Sequence, residues 1–271
     1  MSEGYRASNT GYLNTYRIQQ SECSDGDLNY LLKKFWSHEA IGITPQVEQP
    51  LYPKEKLAFD KVNSSIRFGG ERYQVAVPWK HERPELPPNR QMAEKHLHTV
   101  EKKLMQDEKL AQVYQSVVDD YLSIGSIREV PEDEPKPSSE WLLLHFPVVR
   151  PEKATTKVRV VFDGSAQQKG KSLNSESLPG SKLQSDIVDV LVKFRKEPVA
   201  LAGDVNQMYH QILRRPVDRP LHIFLSRNLG TGDTPKVYKF KRFVFGGCYC
   251  PLCVQFAWQH HARLNKETYP L

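Results

Sequence analysis

The chain has 271 residues, of which 39% are hydrophobic and 26% charged, a composition typical of folded proteins rather than disordered ones. Its formal net charge is +6 and its pI is about 9.0, which favours a polyanionic partner without requiring one. No apolar run approaches the roughly 20 residues of a membrane span, and the first residues lack the apolar core of a signal peptide. These features argue against membrane and secreted classes, and we expect the protein in the cytoplasm or the nucleus.

The N-terminal third alternates between polar and apolar segments. Residues 1–27 are polar, show little periodicity and are predicted to form a flexible tail. Residues 28–88 are predicted to be a helix within "DLNYLLKKFWSHEAIG", capped by Asp27, followed by a loop-rich, extended linker. The linker contains many prolines and two strand-like pieces, "SIRFGG" and "RYQVAVPW".

Residues 89–130 have the apolar spacing of two helices. Asp107 is the expected N-cap of the second helix, and Gly125 its expected end. The predicted apolar stripes are Met92, Leu97, Val100 and Leu104 on the first helix, and Leu110, Val113, Val117, Tyr121 and Ile124 on the second.

Residues 131–271 have the composition of strands interrupted by helices. "WLLLHFPVVRP" and "TKVRVVFDG" are predicted to pair as a hairpin, and "RPLHIFLSR" and "KVYKFKRFVFG" as a second strand pair. Helices are expected from about Ser185 and from Pro251 to about Glu267. The run "PVALAGDV" is predicted to be a fully buried strand that ends at Asp204. The expected fold class is α+β.

Asp204, in "AGDVNQMYHQI", is the strongest candidate for chemistry. A carboxylate at the end of a central strand can hold a divalent cation, and the backbone carbonyl of Val205 can add a second oxygen ligand. A strand-end aspartate that caps the next turn is the more common explanation for this residue taken by itself.

Three segments in a fixed order identify a possible family. They are "KATTKVRVVFDGSA", then "LAGDVNQMYHQI", and, after a strand pair, "FGGCYCPLCVQFA" at the start of a helix. In this order they resemble reverse transcriptases of long-terminal-repeat retroelements, most closely the BEL/Pao group. The resemblance begins near Leu31 and runs to the end of the chain. It implies that residues 131–271 form the fingers and part of the palm of a right-hand polymerase, with a mixed, mainly antiparallel sheet.

The resemblance also implies roles for single positions. Asp204 matches the first metal-binding aspartate of the palm, and the implied cofactor is Mg²⁺. Tyr209 matches the aromatic residue that lies under the incoming sugar and rejects a ribose 2′-hydroxyl. The other matches are Arg159 and Lys157 for the triphosphate, Asp163 for the structural end of the fingers strand, and Gly246, Pro251 and Gln255 for the nucleotide pocket and template. From the residues alone, a solvated strand charge is the favoured explanation for Arg159.

The implied partners are an RNA template, a DNA primer and deoxynucleotide triphosphates. A polymerase of this kind also needs a Tyr-x-Asp-Asp turn, because two metals about 3.5–4 Å apart require carboxylates from both segments. The sequence has no such motif, and its one Asp-Asp pair, Asp119 and Asp120, precedes Asp204 in a predicted helix. We therefore expect a truncated retrotransposon fragment that is inactive in DNA synthesis. A non-catalytic nucleic-acid-binding remnant or domesticated protein, and a non-functional gene fragment, are the alternatives.

The cysteines suggest a reduced protein. Cys23 stands alone, and the other three crowd into "CYCPLC". This spacing does not match the paired cysteines of structural zinc sites, and it is a poor disulfide framework. We expect Cys248, Cys250 and Cys253 to be small buried thiols at a tight turn into the last helix.

Overall fold

The computed structural model describes residues 51–82, 84–135, 140–150, 158–196, 199 and 202–268. These residues combine helices with short strands, which confirms the α+β class. The predicted tail and the helix near residue 28 lie outside the described residues. The helices are α1 (Pro53–Ser65), α2 (Arg90–Leu104), α3 (Glu108–Ser123), α4 (Leu173–Glu176), α5 (Ile187–Phe194) and α6 (Cys250–Leu264), with 3₁₀ helices at Met208–Gln211 and Pro216–Leu221. The strands are β1 (Arg67–Phe68), β2 (Tyr73–Val75), β3 (Ile127–Glu129), β4 (Leu144–Val149), β5 (Val158–Asp163), β6 (Leu213–Arg214), β7 (Ile223–Ser226) and β8 (Lys236–Phe240).

Helix α1 lies in the stretch that was predicted to be loop-rich, so that prediction is wrong for these residues. Pro53 occupies the first turn, where its missing N–H leaves no intrahelical bond unmade. The backbone N–H of Tyr52 donates to the Glu55 carboxylate at 3.0 Å, which satisfies an exposed donor at the helix start. Ala58 and Val62, one turn apart, are fully buried. The stretch is therefore part of the folded body.

Helices α2 and α3 occupy their predicted positions. The Asp107 side chain accepts a hydrogen bond from the backbone N–H of Leu110 at 3.0 Å, which confirms the predicted cap. On α3 the buried side chains are Tyr114 and Val118, whereas Val113 is 43% exposed. Leu110, Val117 and Tyr121 of the predicted stripe pack against the core, as expected. The buried face also includes Tyr114, whose hydroxyl donates to the buried His145 ring of β4.

Three small sheets organise the strands of the described residues. Strands β4 and β5 pair antiparallel in the register Leu144 to Asp163 and Val149 to Val158, which confirms the predicted hairpin strands. The predicted pairing of β7 with β8 is also confirmed, and β3 joins the free side of β8. The third sheet has the order β1-β2-β6, with β2 and β6 parallel. The sheets are mainly antiparallel, as expected.

Helix α6 lies at the centre of the core. It begins with Pro251 in its first turn, as predicted, and ends at Leu264. The ring of Phe256 packs edge-on against Phe59 of α1, with centroids 5.1 Å apart. The buried side chains of α6 are Cys250, Leu252, Cys253, Val254, Phe256 and Ala257. Within the described ranges, no helix has both the length and the apolar composition needed to cross a membrane.

The segment around Asp204 differs from prediction. Residues 202–205 are exposed and form no strand, and Val199 is 75% exposed. The predicted buried strand is therefore wrong for these described residues, because no neighbouring strand pairs with them and covers their apolar side chains. Helix α5 begins as predicted, with the Asp186 carboxylate accepting from the Val188 N–H at 2.8 Å, yet it buries none of its residues.

Candidate nucleotide-binding site

One aromatic ring joins the two most informative predicted positions. The guanidinium carbon of Arg159, on β5, lies 5.8 Å from the centroid of the Phe245 ring. The Tyr209 ring, in the first 3₁₀ helix, packs against the same ring with centroids 4.3 Å apart and planes at 47°. Phe245 is 41% exposed, so the surface formed by Arg159, Tyr209 and Phe245 is open to solvent. This surface is called the corner below. Fifty residues separate Arg159 from Tyr209, and the fold brings them to one corner.

Gly246 holds the loop that carries Phe245. Its φ is +124°, a conformation that L side chains rarely adopt. A Cβ atom at this position would lie 1.6 Å from the Phe162 carbonyl oxygen. Only glycine allows the loop to approach the backbone of β5 so closely, and this approach places Phe245 beside Arg159. The predicted site residue Gly246 therefore has a structural reason to be glycine.

Asn174 ties the same loop to the residues that follow β5. Its backbone N–H donates to the Gly164 carbonyl at 2.8 Å, and its side-chain amide donates to the Ser165 hydroxyl at 2.9 Å. Its side-chain oxygen accepts from the Cys248 N–H at 2.9 Å. One residue of α4 therefore links the end of the β4–β5 hairpin to the start of α6.

Asp163 closes the adjacent turn. Its Oδ1 accepts hydrogen bonds from the backbone N–H groups of Ser165 at 2.8 Å and Ala166 at 3.1 Å. Asp163 therefore has a structural role, closing the turn at which β5 ends.

His210 anchors the 3₁₀ helix that presents Tyr209. The buried ring of His210 shares a 2.8 Å hydrogen bond with the Ser126 hydroxyl through Nδ1. Burial, together with the nearby cations Arg242 and Arg214, lowers the pKa of His210 to about 4. His210 is therefore neutral at pH 7. Burial also raises the pKa of the half-buried Tyr209 above its ordinary value, which keeps its hydroxyl protonated.

Asp204 is exposed on the segment that precedes the first 3₁₀ helix. Its side chain makes no hydrogen bond or ion pair within the described residues, and Val205 is 37% exposed. Five residues of chain limit the distance between the Asp204 and Tyr209 Cα atoms to about 18 Å. The described part of the chain contains no group of three or more histidine, cysteine, aspartate or glutamate residues that could hold a metal ion. These residues do not fit a two-magnesium site.

The remaining predicted positions have no hydrogen bond or ring contact with Arg159, Tyr209 or Phe245 among the described residues. Gln255 is half-buried on α6, and Pro251 is exposed in its first turn. Lys157 lies outside the described residues. Cys250 and Cys253 are buried, Cys248 is half-buried, and all three are reduced thiols. Burial raises the pKa of Cys250 to about 11, so it is an unreactive thiol, as expected of a residue that packs at the helix start.

Sequence reasoning missed Phe245 and Asn174. The available signal for Phe245 was its place directly before the Gly246–Gly247 pair, at the end of an alternating aromatic run, "FVFGG". Asn174 offered no signal beyond a polar side chain in a Ser-rich loop. Both residues contact partners that are distant in the sequence, and local sequence patterns do not indicate such contacts.

Comparison of the sequence with models of known protein families finds no match, and a search of curated proteins finds none either.

Proposed function

We propose that residues 131–271 are the fingers and partial palm of a reverse transcriptase similar to the BEL/Pao group, and that this polypeptide binds nucleotide and nucleic acid without extending a primer. The observation that supports the proposal most is the contact of Arg159 and Tyr209 with the Phe245 ring. Sequence resemblance had assigned both residues to one nucleotide pocket. A domain that separated them would have argued against the assignment.

The corner has the right chemistry for a nucleotide. Arg159 is exposed on β5, and a guanidinium suits a polyphosphate because its planar N–H groups can bind two oxygens at once. Tyr209 and Phe245 offer a partly exposed aromatic surface against which a sugar or base can pack. Arg159 therefore binds the phosphates in this proposal, and Tyr209 contacts the sugar.

Catalysis is not part of the proposal for this polypeptide. Phosphoryl transfer depends on positioning and on neutralising charge at the attacking and leaving oxygens. Asp204 is one exposed carboxylate, and no Tyr-x-Asp-Asp motif occurs in the 271 residues. We expect the polypeptide to add no nucleotide to a primed RNA template in the presence of Mg²⁺ or Mn²⁺.

The test combines a binding assay with an extension assay. Ultraviolet crosslinking of a photoreactive deoxynucleotide triphosphate should label the wild-type chain, and Arg159→Gln and Phe245→Ala should each weaken labelling about tenfold or more. Arg195→Gln is the matched control, because Arg195 is exposed after α5 and lies outside the corner. Labelling that is unchanged in Arg159→Gln would contradict the pocket. Robust primer extension by residues 1–271 would contradict the expected inactivity.

A second candidate is a non-catalytic nucleic-acid-binding remnant or domesticated protein. The net charge of +6 favours it, since phosphate contacts release counterions and carry no base information. This candidate predicts salt-dependent binding of oligonucleotides without specific labelling by deoxynucleotide triphosphates. The coding sequence beyond Leu271 provides an independent test, because an in-frame Tyr-x-Asp-Asp there would favour the polymerase.

A further inference from the structure

A second aromatic surface lies on the β1–β2 hairpin. Phe68 and Tyr73 are a cross-strand pair whose ring centroids are 5.0 Å apart, and Phe68 is 59% exposed. The Tyr73 ring also meets His261 of α6 edge-on at 5.7 Å, and its hydroxyl lies 3.1 Å from His261 Nδ1. The rings are thus held in place from one side by α6. A large exposed ring on a supported platform is available for stacking.

Arginines flank these rings. Arg67 precedes Phe68 and is exposed, and Arg72 precedes Tyr73 and donates to the side-chain oxygen of Gln211. Arg242 lies near Arg72: burial lowers the pKa of Arg242, and the positive charge of Arg72 lowers it further. The exposed Glu71 is the acidic residue near these arginines, and its negative charge raises the pKa of Arg242.

These cations have few counterions. Arg67, Arg72 and Arg242 form no ion pair within the described residues. Arg242 donates to two backbone carbonyls, those of His210 at 3.2 Å and Ile124 at 2.6 Å, and its buried Nε has no hydrogen-bond partner in the described part of the chain. The guanidinium of Arg242 is thus directed at the backbone, and the aromatic–arginine surface is defined as Arg67, Phe68, Arg72 and Tyr73.

We propose that the aromatic–arginine surface binds single-stranded nucleic acid, with bases stacked on Phe68 and Tyr73 and phosphates held by the arginines. Basic residues interleaved with exposed aromatic rings are the features that single-strand binding uses. An acidic peptide could pair with the arginines but has no bases to stack on the rings. A duplex would match the arginines but would keep its bases stacked inside. The combination therefore favours an unpaired strand.

This inference rests on the nucleic-acid binding in the proposed function and deepens it by assigning a surface to the unpaired strand. The aromatic–arginine surface shares no residue with the corner of Arg159, Phe245 and Tyr209. The two regions adjoin, because Arg72 contacts Gln211 in the same 3₁₀ helix that carries Tyr209. The Gln211 amide also donates to the Asn206 carbonyl at 2.9 Å, two residues after Asp204.

The experiment measures binding of the whole chain to a fluorescent 15-nucleotide oligo(dT) by anisotropy. Phe68→Ala should weaken binding about tenfold, since one base loses its stacking partner, and Phe68→Trp should restore it. Met105→Ala is the matched control, because Met105 is 65% exposed on the turn after α2. An abasic phosphate chain of equal length should bind more weakly, and Phe68→Ala should not weaken its binding further.

The arginines are tested by salt dependence. Arg67→Gln with Arg72→Gln should reduce the slope of log affinity against log salt by about 1.4, since each phosphate contact on a single strand contributes about 0.7. Lys102→Gln with Lys103→Gln is the control pair, because both lysines are exposed on α2. Thermal melting of each variant should match the wild-type chain. A bound oligonucleotide carrying 5-bromouracil should crosslink to the peptide that contains Phe68 or Tyr73.

Three outcomes would overturn the inference. Equal binding of oligo(dT) by wild-type and Phe68→Ala chains excludes stacking on this surface. Equal affinity for poly-glutamate and oligo(dT) indicates a general polyanion surface. A crosslink confined to other peptides places the strand elsewhere. Arg159→Gln separates the two proposals, because it should weaken nucleotide labelling while leaving the Phe68-dependent binding of oligo(dT) unchanged.

Discussion

The carboxylate of Asp218 accepts a hydrogen bond from the indole N–H of Trp79 at 2.7 Å, although 139 residues separate the two in the sequence. Its other oxygen accepts from the Val77 backbone N–H at 3.0 Å. The buried Asp218 therefore locks the second 3₁₀ helix onto the chain that follows β2. Burial raises the pKa of Asp218, and these two hydrogen bonds act in the opposite direction.

Loss of this carboxylate should destabilise the fold. Asp218→Ala leaves two buried donors without an acceptor, so we expect the free energy of unfolding to fall by about 2–4 kcal/mol. Asp218→Asn keeps one acceptor oxygen and should cost less. Urea unfolding measures both variants, with Asp120→Asn as the control, because Asp120 is exposed on α3. Equal midpoints for Asp218→Ala and the control would show that the hydrogen bonds contribute nothing.

Gly246→Ala should be among the most damaging single changes. The added methyl group would meet the Phe162 carbonyl oxygen at 1.6 Å, and the positive φ adds backbone strain. We expect a loss of about 3 kcal/mol or more in unfolding free energy. Gly230→Ala has a similar positive φ, +80°, but open space around the new methyl group, so it should lose only about 1–2 kcal/mol. The difference between the two losses of unfolding free energy measures the steric contact at Gly246. Similar losses in both variants would mean that the loop can move away from β5.

Buried histidines should make the protein sensitive to mild acid. Burial lowers the pKa of His145 and of His210 to about 4 each, and lowers that of His222 well below its usual range. An unfolded histidine has a pKa near 6.5, so between about pH 6.5 and pH 4 the unfolded chain binds more protons than the folded one. Stability should therefore be full above about pH 6.5 and decrease as the pH falls through this window.

The size of this effect can be measured. At pH 5, His145 and His210 should each remove about 2 kcal/mol of stability relative to pH 7. Urea midpoints between pH 7 and pH 5 test the expectation. His210→Gln should make the dependence shallower, whereas His98→Gln should leave it unchanged, because His98 is exposed on α2. A dependence that stays as steep in His210→Gln would mean that this ring is not held neutral.

The exposed apolar helix α5 should promote self-association. Its six large apolar side chains are each 43–66% exposed, and such patches favour association. Val188→Lys with Leu191→Lys places two charges one turn apart on this face and should lower the light scattering of concentrated samples. The control is Met105→Lys with Val217→Lys, which replaces two isolated exposed residues. Equal scattering by the two double variants would show that α5 has no special role.

Features set by near neighbours could be predicted from the sequence. The caps Asp107 and Asp186 bond to N–H groups two or three residues away, and Pro251 favours a helix start through its own ring. The strands β4 and β5 follow from β-branched runs close together in the chain. Each of these choices depends on interactions within a few residues, which the local pattern contains.

Burial could not be predicted in the same way, because it depends on segments that arrive from elsewhere. The face of α3 turns inward at Tyr114 because His145, 31 residues later, accepts its hydroxyl. The apolar residues before Asp204 suggested a core strand, yet the described residues 202–205 remain exposed without a pairing strand.

The candidate site also has a part that the sequence predicted and a part that only the tertiary structure decided. Resemblance of motifs picked out Arg159, Tyr209 and Gly246 one at a time, since each belongs to a short recognisable segment. The tertiary structure alone brings them together around Phe245. The backbone of Gly246 approaches Phe162 closely, and this places the Phe245 ring beside Arg159. The sequence by itself determined the types of residue and their local structure. Only packing between distant segments decided which of them share a surface, because steric fit and hydrogen bonds across the fold leave no local pattern.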